Sequence, residues 1–160
     1  MDMRIGQGYD IHELIESDKK LMIGNCYIPF DKSLKAHSDG DVLIHSIIDS
    51  LLGAANLGDI GTHFPDTDPK YKDVDSGVLL KEIINLLNKR LYSIINIDST
   101  IICEKPKMKE HIPMIKKQLS ELMNLEIEQI SIKAKTKEKL DAVGAGKAIE
   151  VFSVCLIKKM

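Results

Sequence analysis

The chain has 160 residues, 44% hydrophobic and 29% charged, the size and balance of one soluble globular domain with a real core. Lys and Arg number 22 against 24 Asp and Glu, a net charge of −2, and aromatics make up 4% with no Trp; neither an electrostatic footprint for nucleic acid nor a base-stacking platform is present. No apolar run is long enough to span a bilayer, and three scattered cysteines without a CxxC pair point to a reducing compartment, not a disulfide framework or zinc ribbon.

Met1-Asp2-Met3-Arg4 enters patterned sequence directly, with no signal peptide. Alternation over Arg4 to His12 predicts a strand. Lys20 to Ile23 and Cys26 to Phe30 predict a hairpin around Gly24-Asn25. Ser38-Asp39-Gly40-Asp41 is rich in helix-capping types, and Val42 to Ala55 follows with helical spacing. Asn56 to Pro69, with its glycines, prolines and aspartates, reads as a long loop holding one helical turn, the kind of segment that carries function. Ser76 to Arg90 is an amphipathic helix, Ile94 to Cys103 a strand, and Lys107 to Met123 a helix with Pro113 near its first turn. Ile130 to Thr136 and Ile149 to Ile157 are strands, separated by a turn at Gly144 and Gly146. No internal repeat interrupts this order, which indicates one α/β or α+β domain.

Three constellations bear chemistry. In an extended Asp10-Ile11-His12 the carboxylate and imidazole share a face, and His45 lies inside the first helix with Asp41 and Asp49 a turn to either side. One Asp and two His with an open position match a catalytic zinc site, and Asp49 is placed to orient the His45 ring. A DxH tripeptide also arises by chance and His45 is equally a buried helix histidine, so spacing alone leaves both readings open. Gly6-Gln7-Gly8 lacks a third glycine and a following helix; close packing within a strand explains it better than a dinucleotide fingerprint. Ser38 and the start of the first helix suit an anion, or simply a helix cap. Glu104-Lys105-Pro106-Lys107-Met108-Lys109 and Lys135-Thr136-Lys137-Glu138 suit a phosphate with a hard cation, although solvated loop ends are the simpler reading on spacing alone.

Taken in order, RIGQGYDIH, AHSDGDVLIHSIIDSLLGAANLGDIGTHFPDTDP, DSTIICEKPKMKEHIP and KAKTKEKL resemble the 2-C-methyl-D-erythritol 2,4-cyclodiphosphate synthases. The resemblance implies an α+β (α/β) sandwich: a single domain over residues 1–160 with a mixed four-stranded main sheet, helices on one face, and sheets facing the centre of a homotrimer with active sites between subunits. It implies a phosphorus–oxygen lyase of the non-mevalonate isoprenoid pathway. The enzyme would convert 4-diphosphocytidyl-2-C-methyl-D-erythritol 2-phosphate to the cyclic diphosphate and CMP. Zinc would sit on Asp10, His12 and His45, and magnesium or manganese on Glu138. His37 and Ser38 would meet the phosphates, with His37 and Thr136 stabilising the transition state. Asp59, Ile60 and Gly61 would contact the methylerythritol portion, and Phe64, Pro65, Asp66, Thr67 and Asp68 would close over it. Cys103, Glu104, Lys105, Pro106, Lys107, Met108 and Lys109 would form the cytidine pocket, with Lys135, Thr136, Lys137 and Glu138 at the phosphates.

Lys135 and Lys137 flank a single Thr136 where relatives carry several threonines. Asp141, Ala142 and Ala145 stand where relatives place a glycine, an aromatic and a phosphate-binding arginine, with Lys147 a substitute for the last; the charged channel pair linked to isoprenoid diphosphates is not carried over. The implied setting is a bacterial cytoplasm, or a plastid stroma for a mature form, with transient contact to the upstream cytidylyltransferase. Two other readings are a hydrolase using zinc-bound water and a non-catalytic isoprenoid-diphosphate scaffold.

Overall fold

Strand alternation at the N-terminus sets the architecture. β1 (Met3–Glu16) buries Gly6, Gly8 and Leu14 on the face that also carries Asp10 and His12, while Ile5, Gln7, Tyr9 and Ile11 on the other face are exposed. The computed structural model describes residues 2–160; Met1, where the N-terminal reading begins, lies outside them.

A hairpin follows, β2 (Leu21–Ile23) and β3 (Cys26–Ile28), turning through Gly24 and Asn25, both at positive φ. The main sheet has the order β4-β1-β7-β5-β6, with β4 at Lys32–Leu34, β5 at Tyr92–Ile102, β6 at Ile130–Lys135 and β7 at Ala148–Lys159. β7 is antiparallel to both β1 and β5, and β5 runs parallel to β6. The four long strands are those expected. The fifth, β4, pairs only Leu14 to Glu16 with Leu34 to Lys32, a span too short for a sequence period to reveal.

Helices cover one face. α1 (Val42–Ala55) lies over β1 and β7, α3 (Ser76–Lys89) packs on α1 and β5, and α4 (Ile112–Met123) packs on β6. α1 is buried almost all round because it is sandwiched between the sheet and α3; Ile44, Ile47, Ile48, Leu51 and Leu52 are wholly buried. α2 (Ile60–His63) is the helical turn expected in the long loop, and α5 (Asp141–Gly144) forms the turn before β7. The third long helix starts at Ile112, not Lys107, because the Met108 side chain is buried and its carbonyl accepts the His111 and Ile112 N–H groups in a turn. Pro113 sits in the first turn, where its missing N–H has no partner to lose.

Among the described residues no helix is long and apolar enough to cross a membrane. The sheet's second face carries exposed Ile5, Tyr9, Ile11, Phe152 and Val154 on the neighbouring strands β1 and β7.

Candidate active site

Two glycines bring the site together. A β-carbon on Gly6 would stand 1.8 Å from the Ser50 carbonyl oxygen, and one on Gly8 would stand 1.9 Å from that of Ser46. Without side chains there, α1 settles directly on β1, which places His45 beside Asp10 and His12. Close packing is therefore what Gly6-Gln7-Gly8 provides.

The three side chains converge. Asp10 Oδ2 lies 2.9 Å from His12 Nε2 and 3.1 Å from His45 Nδ1, and the two nitrogens are 3.1 Å apart. Zinc–nitrogen bonds of about 2.0–2.1 Å give a tetrahedral edge of about 3.3 Å, so the three atoms already stand near the corners of one metal site. Their hydrogen bonds agree. The Lys35 carbonyl, 3.0 Å from His12 Nδ1, can only accept, so Nδ1 carries the proton and Nε2 is left bare toward the cluster. Burial alone would raise the Asp10 carboxyl, but His12 and His45 lie against it, and the hydrogen bonds and charge they bring when their rings are protonated hold it well below the usual carboxylate range. Burial likewise opposes protonation of His12, yet Asp10 pulls its pKa up.

The orienting group for His45 differs from expectation. Asp49 accepts the Ile60 N–H at 2.7 Å and so anchors the entry to α2. His45 Nε2 instead meets Ser76 Oγ at 2.9 Å and Ser38 Oγ at 3.2 Å. Asp41 is the helix cap: wholly buried, it accepts from Ile44, Gly24 and Asn25 N–H. Its carboxylate occupies the start of α1, so an anion is left to the loop before it.

Asp10, His12, Ala36, His37, Ser38 and His45 line a cavity of about 510 Å³ whose other wall is Ile60, Gly61, Phe64, Pro65, Asp66, Tyr71, Val74 and Leu79. That wall is strapped down. Asp73 N–H donates to the His37 carbonyl, Asp39 N–H to the Val74 carbonyl, and His37 Nε2 lies 3.3 Å from the Asp68 carbonyl. Phe64 meets Tyr71 edge-on at 5.3 Å. Asp59 caps α2 through Thr62, Asp68 caps the following turn through Lys70 N–H, and Thr67 is exposed between them. Ala36, Tyr71, Val74 and Leu79 are cavity residues that sequence reasoning missed; nothing in their local pattern distinguishes them.

The second group of expected residues forms a separate pocket of about 270 Å³, lined by Cys103, Glu104, Pro106, Lys107, Met108, Lys109, Ala134, Lys135 and Thr136. Lys105 lies on the other side of that loop, facing a different cleft with Lys139. Glu104 works within the chain: its carboxylate accepts Lys137 N–H at 2.8 Å and ties the loop to the arm carrying Glu138. Thr136 Oγ1 donates to Glu138 at 2.6 Å, and Glu138, Lys139 and Asp141 all adopt positive φ. Lys137, expected at the phosphates, pairs with buried Glu150, which also accepts from Tyr9, and lies 3.7 Å from Asp141. Burial, helped by the charge of Glu104, pushes the Cys103 thiol up to about 11, which fits its having no chemical role.

The YgbB family matches residues 3–158. The 2-C-methyl-D-erythritol 2,4-cyclodiphosphate synthase of Clostridium novyi is 53% identical over 157 residues, 98% of this chain and 99% of the relative. The solved bifunctional IspDF of Campylobacter jejuni superposes with a TM-score of 0.95 at 37% identity, covering 99% of this chain, which spans 43% of that one. The Plasmodium falciparum IspF, solved as a CDP complex, superposes with a TM-score of 0.86 at 40% identity, covering 98% of this chain and 96% of that one.

Proposed function

The chain belongs to the YgbB family, the 2-C-methyl-D-erythritol 2,4-cyclodiphosphate synthases, and we propose from that premise how its residues close the ring. The enzyme is a phosphorus–oxygen lyase of the non-mevalonate isoprenoid pathway. The 2-phosphate oxygen of 4-diphosphocytidyl-2-C-methyl-D-erythritol 2-phosphate attacks the β-phosphorus of the same molecule. The bond from that phosphorus to the bridging oxygen breaks, and CMP leaves with the electron pair.

Both reacting groups belong to one substrate, so the protein's main task is to fold it into line. His37 and Ser38 stand beside the metal cluster on the same cavity wall, where they hold the phosphates. Phe64, Pro65 and Asp66 wall the methylerythritol portion and hold its 2-phosphate oxygen toward the β-phosphorus. Asp59, Ile60, Gly61, Thr67 and Asp68 shape that end. Thr136 and Glu138 sit on the arm that meets the diphosphate, and the Cys103–Lys109 loop holds the cytosine, with Lys135 exposed beside it. Zinc on Asp10, His12 and His45, and magnesium or manganese on Glu138, would supply the positive charge that offsets repulsion between an anionic nucleophile and an anionic phosphorus.

One observation carries the arrangement: the metal cluster and the base pocket occupy different cavities that share no lining residue. One substrate reaches both when neighbouring subunits face each other, one contributing the metal cavity and the other the base pocket. We assign these subunits to a homotrimer, a reading supported by the exposed apolar sheet face of Ile5, Tyr9, Ile11, Phe152 and Val154. Residues 1–160 act as one synthase domain in a bacterial cytoplasm, or in a plastid stroma for a mature form. Transient contact with the upstream cytidylyltransferase is supported by the bifunctional Campylobacter chain.

The reaction run in ¹⁸O-labelled water tests this reading. Intramolecular closure yields a cyclic diphosphate and CMP free of label, whereas a hydrolase using metal-bound water yields a linear phosphate carrying one labelled oxygen.

A further inference from the structure

A chain of hydrogen bonds leads away from the metal cluster through His45 Nε2, and its polarity can be read from one end. Asp39, being a carboxylate, can only accept. It takes the Ser76 N–H at 3.0 Å, the Asp41 N–H at 3.1 Å and the Ser76 hydroxyl proton. Ser76, wholly buried at the start of α3, therefore has its proton committed to Asp39 and presents a lone pair to His45 Nε2. Nε2 must then carry the ring proton, leaving Nδ1 bare, and Nδ1 is the atom 3.1 Å from both Asp10 Oδ2 and His12 Nε2. Ser38 Oγ, 3.2 Å from the same Nε2 and accepting from Gly40 N–H, keeps its own proton free for the cavity.

We propose that Asp39 and Ser76 are positioning residues of the metal centre: Asp39, acting through Ser76, selects the His45 tautomer whose Nδ1 lone pair binds the ion. The role rests on the zinc reading given above. It also assigns a purpose to the contact between the loop before α1 and the start of α3, two segments 37 residues apart in the chain. Removing the Ser76 hydroxyl leaves the tautomer set only by Ser38, whose own proton is uncommitted. In Asp39→Asn the amide cannot present acceptors to Ser76 N–H, Ser76 Oγ–H and Asp41 N–H at once, so the direction of the chain is no longer fixed.

Two readouts on the whole protein test this, one of them independent of metal. Long-range ¹H–¹⁵N spectra should show His45 protonated on Nε2 and His12 on Nδ1 in the unsubstituted protein. Ser76→Ala should turn His45 alone into a tautomer mixture. Zinc affinity, measured by chelator competition, should fall about 10–100-fold in Ser76→Ala and Asp39→Asn, as is usual for groups that hold a metal-binding histidine, while the melting profile and assembly size stay as before. Activity at saturating zinc should largely return. An unchanged His45 tautomer in Ser76→Ala, or zinc affinity within about twofold of the parent, overturns the proposal. Correct tautomers in an unsubstituted protein that holds no zinc would instead fail the metal reading while leaving the orientation of His45 established.

Discussion

Gly8 lies directly beneath Ser46 of α1: a β-carbon at Gly8 would stand 1.9 Å from the Ser46 carbonyl oxygen and 2.7 Å from the Ser50 amide nitrogen. The obstacle is helix backbone, so it cannot swing aside as a side chain would. Gly8→Ala should therefore lift α1 from β1, costing about 3 kcal/mol, or roughly 6–12 °C in Tm for a domain of this size. Zinc affinity should fall with it, because His45 rides on the displaced helix. Gln7→Ala, on the exposed face, should do neither; calorimetry and metal titration of both variants check the contrast.

His45→Ala removes a ligand from a cluster that the sheet and α1 otherwise hold in place. Zinc content after dialysis should drop to background and cyclisation should be lost, while the assembly keeps its size. Elemental analysis beside sedimentation measures all of this, and full activity in the zinc-free variant would refute the metal assignment.

Both the fold and the triad were partly legible in the sequence. The period of Val42 to Ala55 places α1 to the residue, and alternation puts Asp10 and His12 on one face. That His45 joins them was one of two open readings of the residue types, decided by the resemblance and not by local pattern, because it depends on how two glycines seat a helix on a strand. Asp39 read as a capping residue and Ser76 as an ordinary helix start, since the bond between them exists only after folding. Lys137 likewise read as facing phosphate or solvent, and its pairing with Glu150 depends on a turn of left-handed residues that no periodicity signals.

The exposed sheet face carries a prediction of its own. Ile5 is 74% exposed in the single chain, so Ile5→Asp leaves the fold intact but puts a charge where three apolar faces would meet. Sedimentation should show a folded monomer with native circular dichroism. If the active site lies between subunits as proposed, its activity should fall by at least about 100-fold, because the two pockets would no longer meet on one substrate.

Cysteine reactivity gives an independent check on the base pocket. Burial pushes the Cys103 and Cys26 thiols up to about 11, and Cys155 is also raised, so their reactive thiolates are scarce at neutral pH. Against an unfolded thiol near 8.5, alkylation at pH 8 should be roughly 100-fold slower in the native protein, and should rise tenfold per pH unit until the fold opens. Mass-spectrometric counting of iodoacetamide adducts measures it. Rapid labelling of Cys103 at pH 8 would show an activated thiol and reopen the question of its role.

The account turns on metal-dependent ring closure, and mass spectrometry of the products with and without a chelator tests it most directly. With 4-diphosphocytidyl-2-C-methyl-D-erythritol 2-phosphate as substrate, equal amounts of cyclic diphosphate and CMP should form with zinc and magnesium present. Formation should stop on chelation and return when the ions are restored. Linear phosphates, or no turnover by a zinc-loaded trimer, would contradict the account, the first in favour of a hydrolase and the second in favour of a binding protein.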